Sequence, residues 1–571
     1  MLQLFRKLFN SFMKKPDVWF FYAFLFTSTL SIRKVLFCYP LGGGFNEYTG
    51  IYLYLSDIFL LLTITVWLLS LCNKYHFLST STSLPRSTPI LSVKNISPQY
   101  ECSTWNILQS RREIFLWAKK AYQQVIHSYV LFFPLFIAIF SSLSILWSNN
   151  QEIAFFRSIK LAGLVLLFFY TLKNVPRGTF LKKSLQIIIS VSVVQSLIGI
   201  IQFLIQHSLG LSWLKESIIS PQLTGVAKII LDGHLYVRAY GLFPHPNMLG
   251  GFLVLSLIAS LAYSKTFHAC SVAKKCSTWN IWERFRGRRT WNISFASRMK
   301  HFKRNEMTAF RVIILVQGLA LLLTFSKSAI LGLFIGFFYL YIHKCSTWNI
   351  FSELRNKLMF RLPEIPPFKT HPGRITGCLK MFHVEHLKRK LFLVIGIVIL
   401  ILTIAKPDVH SLLFKSLQER EFYLNVSPAR FAMQSIAGGR GTETDIKTLA
   451  LGVGSGQFVI NVNSENITNI QPWQYQPVHN VFLLILNEFG IVVFFLFLFF
   501  LYKLFRPGTN VPRGTFVETT SGPRVGNVYL KAILVSFIFI MLFDHYFWDI
   551  QQGQILLWLL FGFIAGTSKE Q

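Results

Sequence analysis

The feature that most constrains this chain is the recurrence, from end to end, of apolar runs long enough to cross a bilayer core, about 17–25 residues each. They fall at 17–37, 51–72, 128–148, 152–172, 184–206, 247–264, 309–325, 328–343, 390–405, 479–502, 529–547 and 553–567. Backbone groups in lipid must bond within their own segment, and no alternating barrel pattern is present, so the runs read as helices. At 571 residues, 52% hydrophobic and with 57 Phe, the chain is too apolar for a soluble protein of several domains. The expected fold is all-α: a polytopic transmembrane helix bundle of about twelve spans. Two spans and a long cytoplasmic loop fill 1–127, and the main membrane domain fills 128–567.

A net charge of +33 invites a nucleic-acid reading. The placement of the charge argues for membrane orientation instead. With Arg6, Lys7, Lys14 and Lys15 on the cytoplasmic side, every second loop falls there too, and those loops and termini hold most of the 57 Lys+Arg. That is the positive-inside asymmetry. The partner implied is a lipid bilayer and not nucleic acid, in a multi-pass cytoplasmic (inner) membrane protein with both termini inside. The first run lacks a small-residue cleavage site and reads as an anchor. Two substantial loops then face outward, 207–246 and 406–478, the second between spans nine and ten. Seven cysteines without a CxxC pair suggest neither a disulfide framework nor a zinc site.

Short repeats punctuate the inward loops 73–127, 265–308, 344–389 and 505–528, and the short turn after the fourth span. CSTWNI stands at 102–107, 276–281 and 345–350, NVPRGTF at 174–180 and 510–516, and MFHVEH at 381–386. Six residues cannot bury a face of their own. The palindrome ATGTTCCACGTGGAACAT encodes MFHVEH, CSTWN and VPRGT in its three frames, so the copies read as an inserted DNA element. His383, Glu385 and His386, and likewise Arg177 and Arg513, are then by-products of insertion where insertion is tolerated.

Polar groups in apolar surroundings carry the chemistry. Arg157 and Lys160 share one face of the fourth span, as anion ligands or as snorkelling cations. Gln195, Gln202 and Gln206 on the next span either line the same cavity or bond to neighbouring helices, with the second reading favoured. In YVRAYGLFPHPNMLGG (236–251), Pro244 and Pro246 hold the chain extended, Asn247 is placed to cap a helix from Met248, and Gly250–Gly251 permit close helix contact. Arg238 adds a fixed charge. The outer loop 406–478 carries Arg430, then Gly452, Gly454 and Gly456, whose spacing reads as a tight turn because no strand–loop–helix frame surrounds it. His479 and Asn480 stand at the mouth of the tenth span. Glu488, roughly opposite in facing and about 13 Å further along, is excluded as the direct partner of His479. Asp544, His545 and Asp549 in DHYFWD (544–549) read as an interfacial aromatic turn ahead of a metal site.

Together the motifs resemble the O-antigen ligase and O-antigen polymerase superfamily of membrane glycosyltransferases. RAYGLFPHPN (238–247), LTFSKSA (323–329), RFAM (430–433), GVGSGQF (452–458) and His479–Asn480 with Gly490 stand in that family's order, over roughly 130–567. The chain departs at Val493, where the ligases close their histidine motif with glycine, and at Lys327, where arginine is frequent. The resemblance implies transfer of a glycan from a polyprenyl diphosphate carrier to an acceptor glycolipid, glycan or protein at the outer leaflet, with no cofactor and no metal. It implies His479 as the base activating the acceptor hydroxyl. It makes Arg238 and Arg430 the leading diphosphate ligands, with Arg157, Lys160, Lys327 and Asn480 as further substrate contacts. Pro244, His245, Pro246, Asn247, Gly452, Gly454, Gly456 and Gly490 form the structural motifs.

A polysaccharide polymerase or a protein O-oligosaccharyltransferase of the same fold would use the same donor. A secondary transporter would need matching broken helices in two halves, and no such pair is visible.

Overall fold

The computed structural model describes residues 9–80, 129–175, 179–282, 292–344, 442–464, 475–505 and 523–567. The apolar run at 390–405, most of the loop 406–478 with Arg430, and the MFHVEH segment lie outside the described residues. The described chain is mainly helical. Six helical stretches are long and apolar enough to cross a membrane: Leu55–Asn73, Tyr129–Trp147, Gln151–Asn174, Thr179–Ile205, Pro246–Ser264 and Val481–Phe505. Thr308–Leu323, Lys327–His343 and Asn527–Met541 are shorter apolar helices. Large apolar side chains such as Leu61, Leu69, Ile139, Leu204, Leu315 and Phe495 stand exposed on these helices. So much exposed apolar surface suits a lipid-like surrounding.

The first apolar run is not one span. Its helix ends at Thr27, and 33–54 form a β-hairpin pairing Arg33–Cys38 with Gly50–Tyr54. The hydroxyls explain the stop. Thr27, Ser28 and Thr29 each bond to a carbonyl three or four residues back, and Ser31 reaches across to the Leu242 carbonyl. Such bonds compete with continuation of the helix. Beyond them, β-branched and aromatic residues favour strands. The hairpin leads straight into the helix from Leu55.

Small residues set the helix spacing. Gly562 and Gly566 lie against Phe168, Thr171, Leu172 and Val175, seating the last helix on Gln151–Asn174. Gly332 and Gly336 do the same against Ala532, Ser536 and Ile540. Without water to drive association, such close backbone approach and its dispersion contacts hold membrane helices together. The expected contact at Gly250–Gly251 is present: Gly250 abuts Ser326 and Ala329, and Gly251 abuts the Tyr546 ring.

The helix Val481–Phe505 is broken at Gly490, with φ 75° and ψ 179°. Gly452 has a near-identical conformation, φ 75° and ψ 178°. That region is essentially open to glycine alone. The two glycines let two backbones meet: Val453 N–H donates to Asn487 O at 2.9 Å and Gly454 N–H to Glu488 O at 3.0 Å. Gly452, Gly454 and Gly456 all have positive φ. The expected tight turn is therefore a clasp on the kink.

Candidate functional site

Four stretches distant in sequence meet at one end of the bundle. The first is the loop 238–247. Gln202 Oε1 accepts from Gly241 N–H at 2.8 Å, Gln195 Oε1 accepts from Leu242 N–H at 2.7 Å, and Gln202 Nε2 donates to Gly241 O. The glutamines of the fifth apolar run thus bond to this loop, tethering its backbone. Residues 243–245 are bends, so the prolines do not hold an extended strand.

The helix that follows begins at Pro246, one residue before Asn247, which corrects the expected cap. Proline fits a first helical position because its missing N–H would have had no partner there. The capping acceptor is His245, whose Nδ1 accepts from Asn247 N–H at 3.2 Å. Asn247 is thereby released for another task. Its Oδ1 accepts from Arg238 Nη2 at 2.6 Å while its Nδ2 donates to Asp544 at 2.8 Å. Arg238 also donates through Nε to the Thr324 carbonyl at 2.6 Å. Its guanidinium therefore points along the second stretch, 324–328, where Lys327 lies close enough for the two cations to repel.

The third stretch brings in His479. Asn480 is its anchor: Oδ1 accepts from Phe482 and Leu483 N–H at 2.9 and 3.1 Å, capping the helix, and Nδ2 donates to Leu542 O. Asn480 is thus a helix cap, not a free substrate ligand. Asn46 of the hairpin holds the approach to His479 by donating to Tyr475 O at 2.8 Å.

The fourth stretch is 544–549, and it overturns the interfacial reading of DHYFWD. Asp544, His545, Tyr546, Phe547 and Trp548 are all buried within the bundle. The His545 ring lies 4.9 Å from the His479 ring, centroid to centroid. One nitrogen or oxygen each of His479, His545 and Asp544 lies within 4.8 Å of the others. His545 Nδ1 sits 2.8 Å from Asp549 Oδ2, and Tyr48 of the hairpin packs edge-on against the His545 ring. Sequence reasoning named His545 and Asp549 but ranked a metal site there below an interfacial turn. The available signal was their i, i+4 spacing, which puts both on one face of even a single helical turn.

Electrostatics separate buried His545 from half-buried His245. Burial would lower the pKa of His545, but the Asp549 carboxylate, joined by Asp544 and Glu47, outweighs it and the pKa is raised. His245 is pushed down to about 3, first by burial and then by the Arg238 charge. Its role as an acceptor requires the neutral form, so geometry and charge agree. Burial also pulls the Arg238 pKa down, opposed by Tyr240 and Asp544.

Arg157 and Lys160 stand apart from this group. Arg157 donates to the carbonyls of Asp549 at 2.7 Å and Tyr48 at 2.8 Å, tying the hairpin to the 544–549 turn. Lys160 pairs with Asp57, whose other oxygen accepts from Gln551 at 2.6 Å. Lys160 is spent on that pair, so its expected role as an anion ligand is not what its contacts support. Glu488 accepts from Trp548 Nε1 at 3.2 Å, a bond inside the bundle. It helps line a cleft with Tyr48, Arg157, Pro477, Trp548 and Asp549.

Compared with protein-family models, curated proteins and solved structures, the chain matches none.

Proposed function

We propose that this chain is a membrane glycosyltransferase of the O-antigen ligase type, moving a glycan from a polyprenyl diphosphate carrier to an acceptor hydroxyl at the outer face of the cytoplasmic membrane. The reading takes about twelve spans, both termini inside, and 406–478 as an outer loop. One observation carries it. His479 converges with the Arg238–Asn247–Asp544 chain and with Lys327, so a basic nitrogen and two cations free of direct carboxylate bonds among the described residues share one end of the bundle.

The chemistry follows from those groups. Neutral His479 accepts the proton of the acceptor hydroxyl as its oxygen bonds to the anomeric carbon of the donor sugar. The bond from that carbon to the diphosphate oxygen breaks. The diphosphate departs with its charge and needs no proton, so fixed cations stabilise departure. Arg238 and Lys327 serve that purpose, with Arg430 from the outer loop as the expected third. Asn247 fixes Arg238, and Asn480 fixes the backbone beside His479.

The test is conversion of a fluorescent polyprenyl-diphosphate glycan by the full chain in proteoliposomes, with the products separated by length. Single-step labelling of an added acceptor supports a ligase. A ladder of lengthening glycans assigns the same site to a polymerase. No consumption of the carrier with any acceptor contradicts the proposal.

A further inference from the structure

We propose that His479, His545 and Asp544 form a binding site for a divalent transition-metal ion of the zinc class, and that an ion bound there silences transfer. The silencing half rests on the proposed role of His479; the binding half does not.

The donor set and its spacing make the argument. Two imidazoles and one carboxylate suit zinc-class ions, whereas magnesium and calcium take mostly oxygen ligands, six or more. Zinc–nitrogen bonds of about 2.0–2.1 Å in tetrahedral geometry place donors roughly 3.4 Å apart. The three donor atoms here already lie within 4.8 Å of one another. Rotation of side chains, His479 above all, closes the remainder, because His479 is the half-buried member at the mouth of the group.

The surroundings are those that metal ligands need. A ligating histidine commonly gives its other ring nitrogen to a carboxylate, which fixes the ring and raises its basicity. His545 has that arrangement: Nδ1 is held by Asp549, leaving Nε2 as the ligand atom. The Asp544 carboxylate is oriented in the same way, by Asn247 Nδ2 at 2.8 Å and by the His545 N–H at 2.9 Å. Asp544 faces the Arg238 charge across Asn247. Three protein ligands leave a fourth position for water. A His479 lone pair bonded to the metal cannot take a proton from an acceptor, so occupancy and base catalysis exclude each other.

The experiment is a cobalt titration of the full chain in detergent, purified with a tag that contains no histidine. Three proteins are compared: wild type, His479→Ala, and a His383→Ala/His386→Ala double variant. Wild type is expected to develop the intense visible absorption of a four-coordinate cobalt site at one equivalent and to lose it on addition of zinc. His479→Ala should weaken binding by about 10-fold or more. The double variant should match wild type. No absorption in wild type, or undiminished binding in His479→Ala, overturns the site. Loss of the absorption in the double variant also overturns it, by moving the ligands to 383–386. In proteoliposomes, zinc should suppress transfer and a chelator should restore it; transfer undiminished at saturating zinc overturns the silencing. If wild type transfers no glycan at all, the proposed function fails while the cobalt titration still decides the site.

Discussion

Asp549 Oδ2 lies 2.8 Å from His545 Nδ1, with both side chains less than a tenth exposed. The pair sets the charge beside His479 and gives the alkaline limb of stability a definite sign. Its folded pKa is raised above the ordinary 6.5. The contribution is therefore present in full below about pH 6.5 and is lost as pH rises through the folded value. Asp549→Asn should flatten the loss of thermal stability above neutral pH and lower turnover at least 10-fold. Melting followed by intrinsic fluorescence from pH 6 to pH 9 checks the first, and a split of kcat from KM checks the second.

His245 has the opposite sign. Its folded pKa lies at about 3 against an ordinary 6.5. Its contribution is present above about pH 6.5 and is lost as pH falls toward 3, by up to about 1.4 kcal/mol per unit. Melting of wild type beside His245→Leu between pH 7 and pH 5 should show the wild type losing stability more steeply on acidification. Equal slopes would remove His245 from the account.

Lys160 is expected to act in stability and not in donor recognition, because Asp57 and Gln551 hold it. Lys160→Met leaves a largely buried carboxylate unpaired and should cost about 3 kcal/mol. Lys160→Met with Asp57→Leu should recover much of that. The donor KM should stay within about twofold in the double variant. A tenfold rise in KM would return Lys160 to the substrate site.

Gly490→Ala meets two obstacles. Its φ is +75°, and an added Cβ would lie 2.2 Å from the Ala450 carbonyl oxygen. The backbone conformation alone costs on the order of 1–3 kcal/mol. The variant should melt well below wild type and lose the clasp at Gly452. Faster proteolysis near 450 reports the latter.

Much of the bundle was legible because apolar length and composition are local properties of a window. Leu55–Asn73, Tyr129–Trp147, Gln151–Asn174 and Val481–Phe505 fall close to the runs read from sequence. The hairpin at 33–54 was not legible. A hydropathy window averages through Thr27–Ser31, whereas the helix is ended by individual hydroxyls bonding back to the backbone. His479 and Arg238 were singled out as polar groups needing an explanation. Their meeting with Asp544 and His545 could not be read, because it depends on how the last turn folds inward. Burial of DHYFWD is a tertiary outcome: aromatic residues serve a lipid interface and a bundle interior equally well. Asn247 was misplaced as a cap because a proline at the preceding position starts the helix one residue earlier.

The central claim is that His479 acts on the acceptor while Arg238 acts on the donor. The most direct test measures donor binding and turnover in the same proteoliposomes for wild type, His479→Ala and Arg238→Ala. His479→Ala should bind the polyprenyl-diphosphate glycan within about threefold of wild type, while turnover falls by about 10²-fold or more. Arg238→Ala should weaken donor binding itself. Wild-type turnover in His479→Ala, with the donor still bound, would contradict the account.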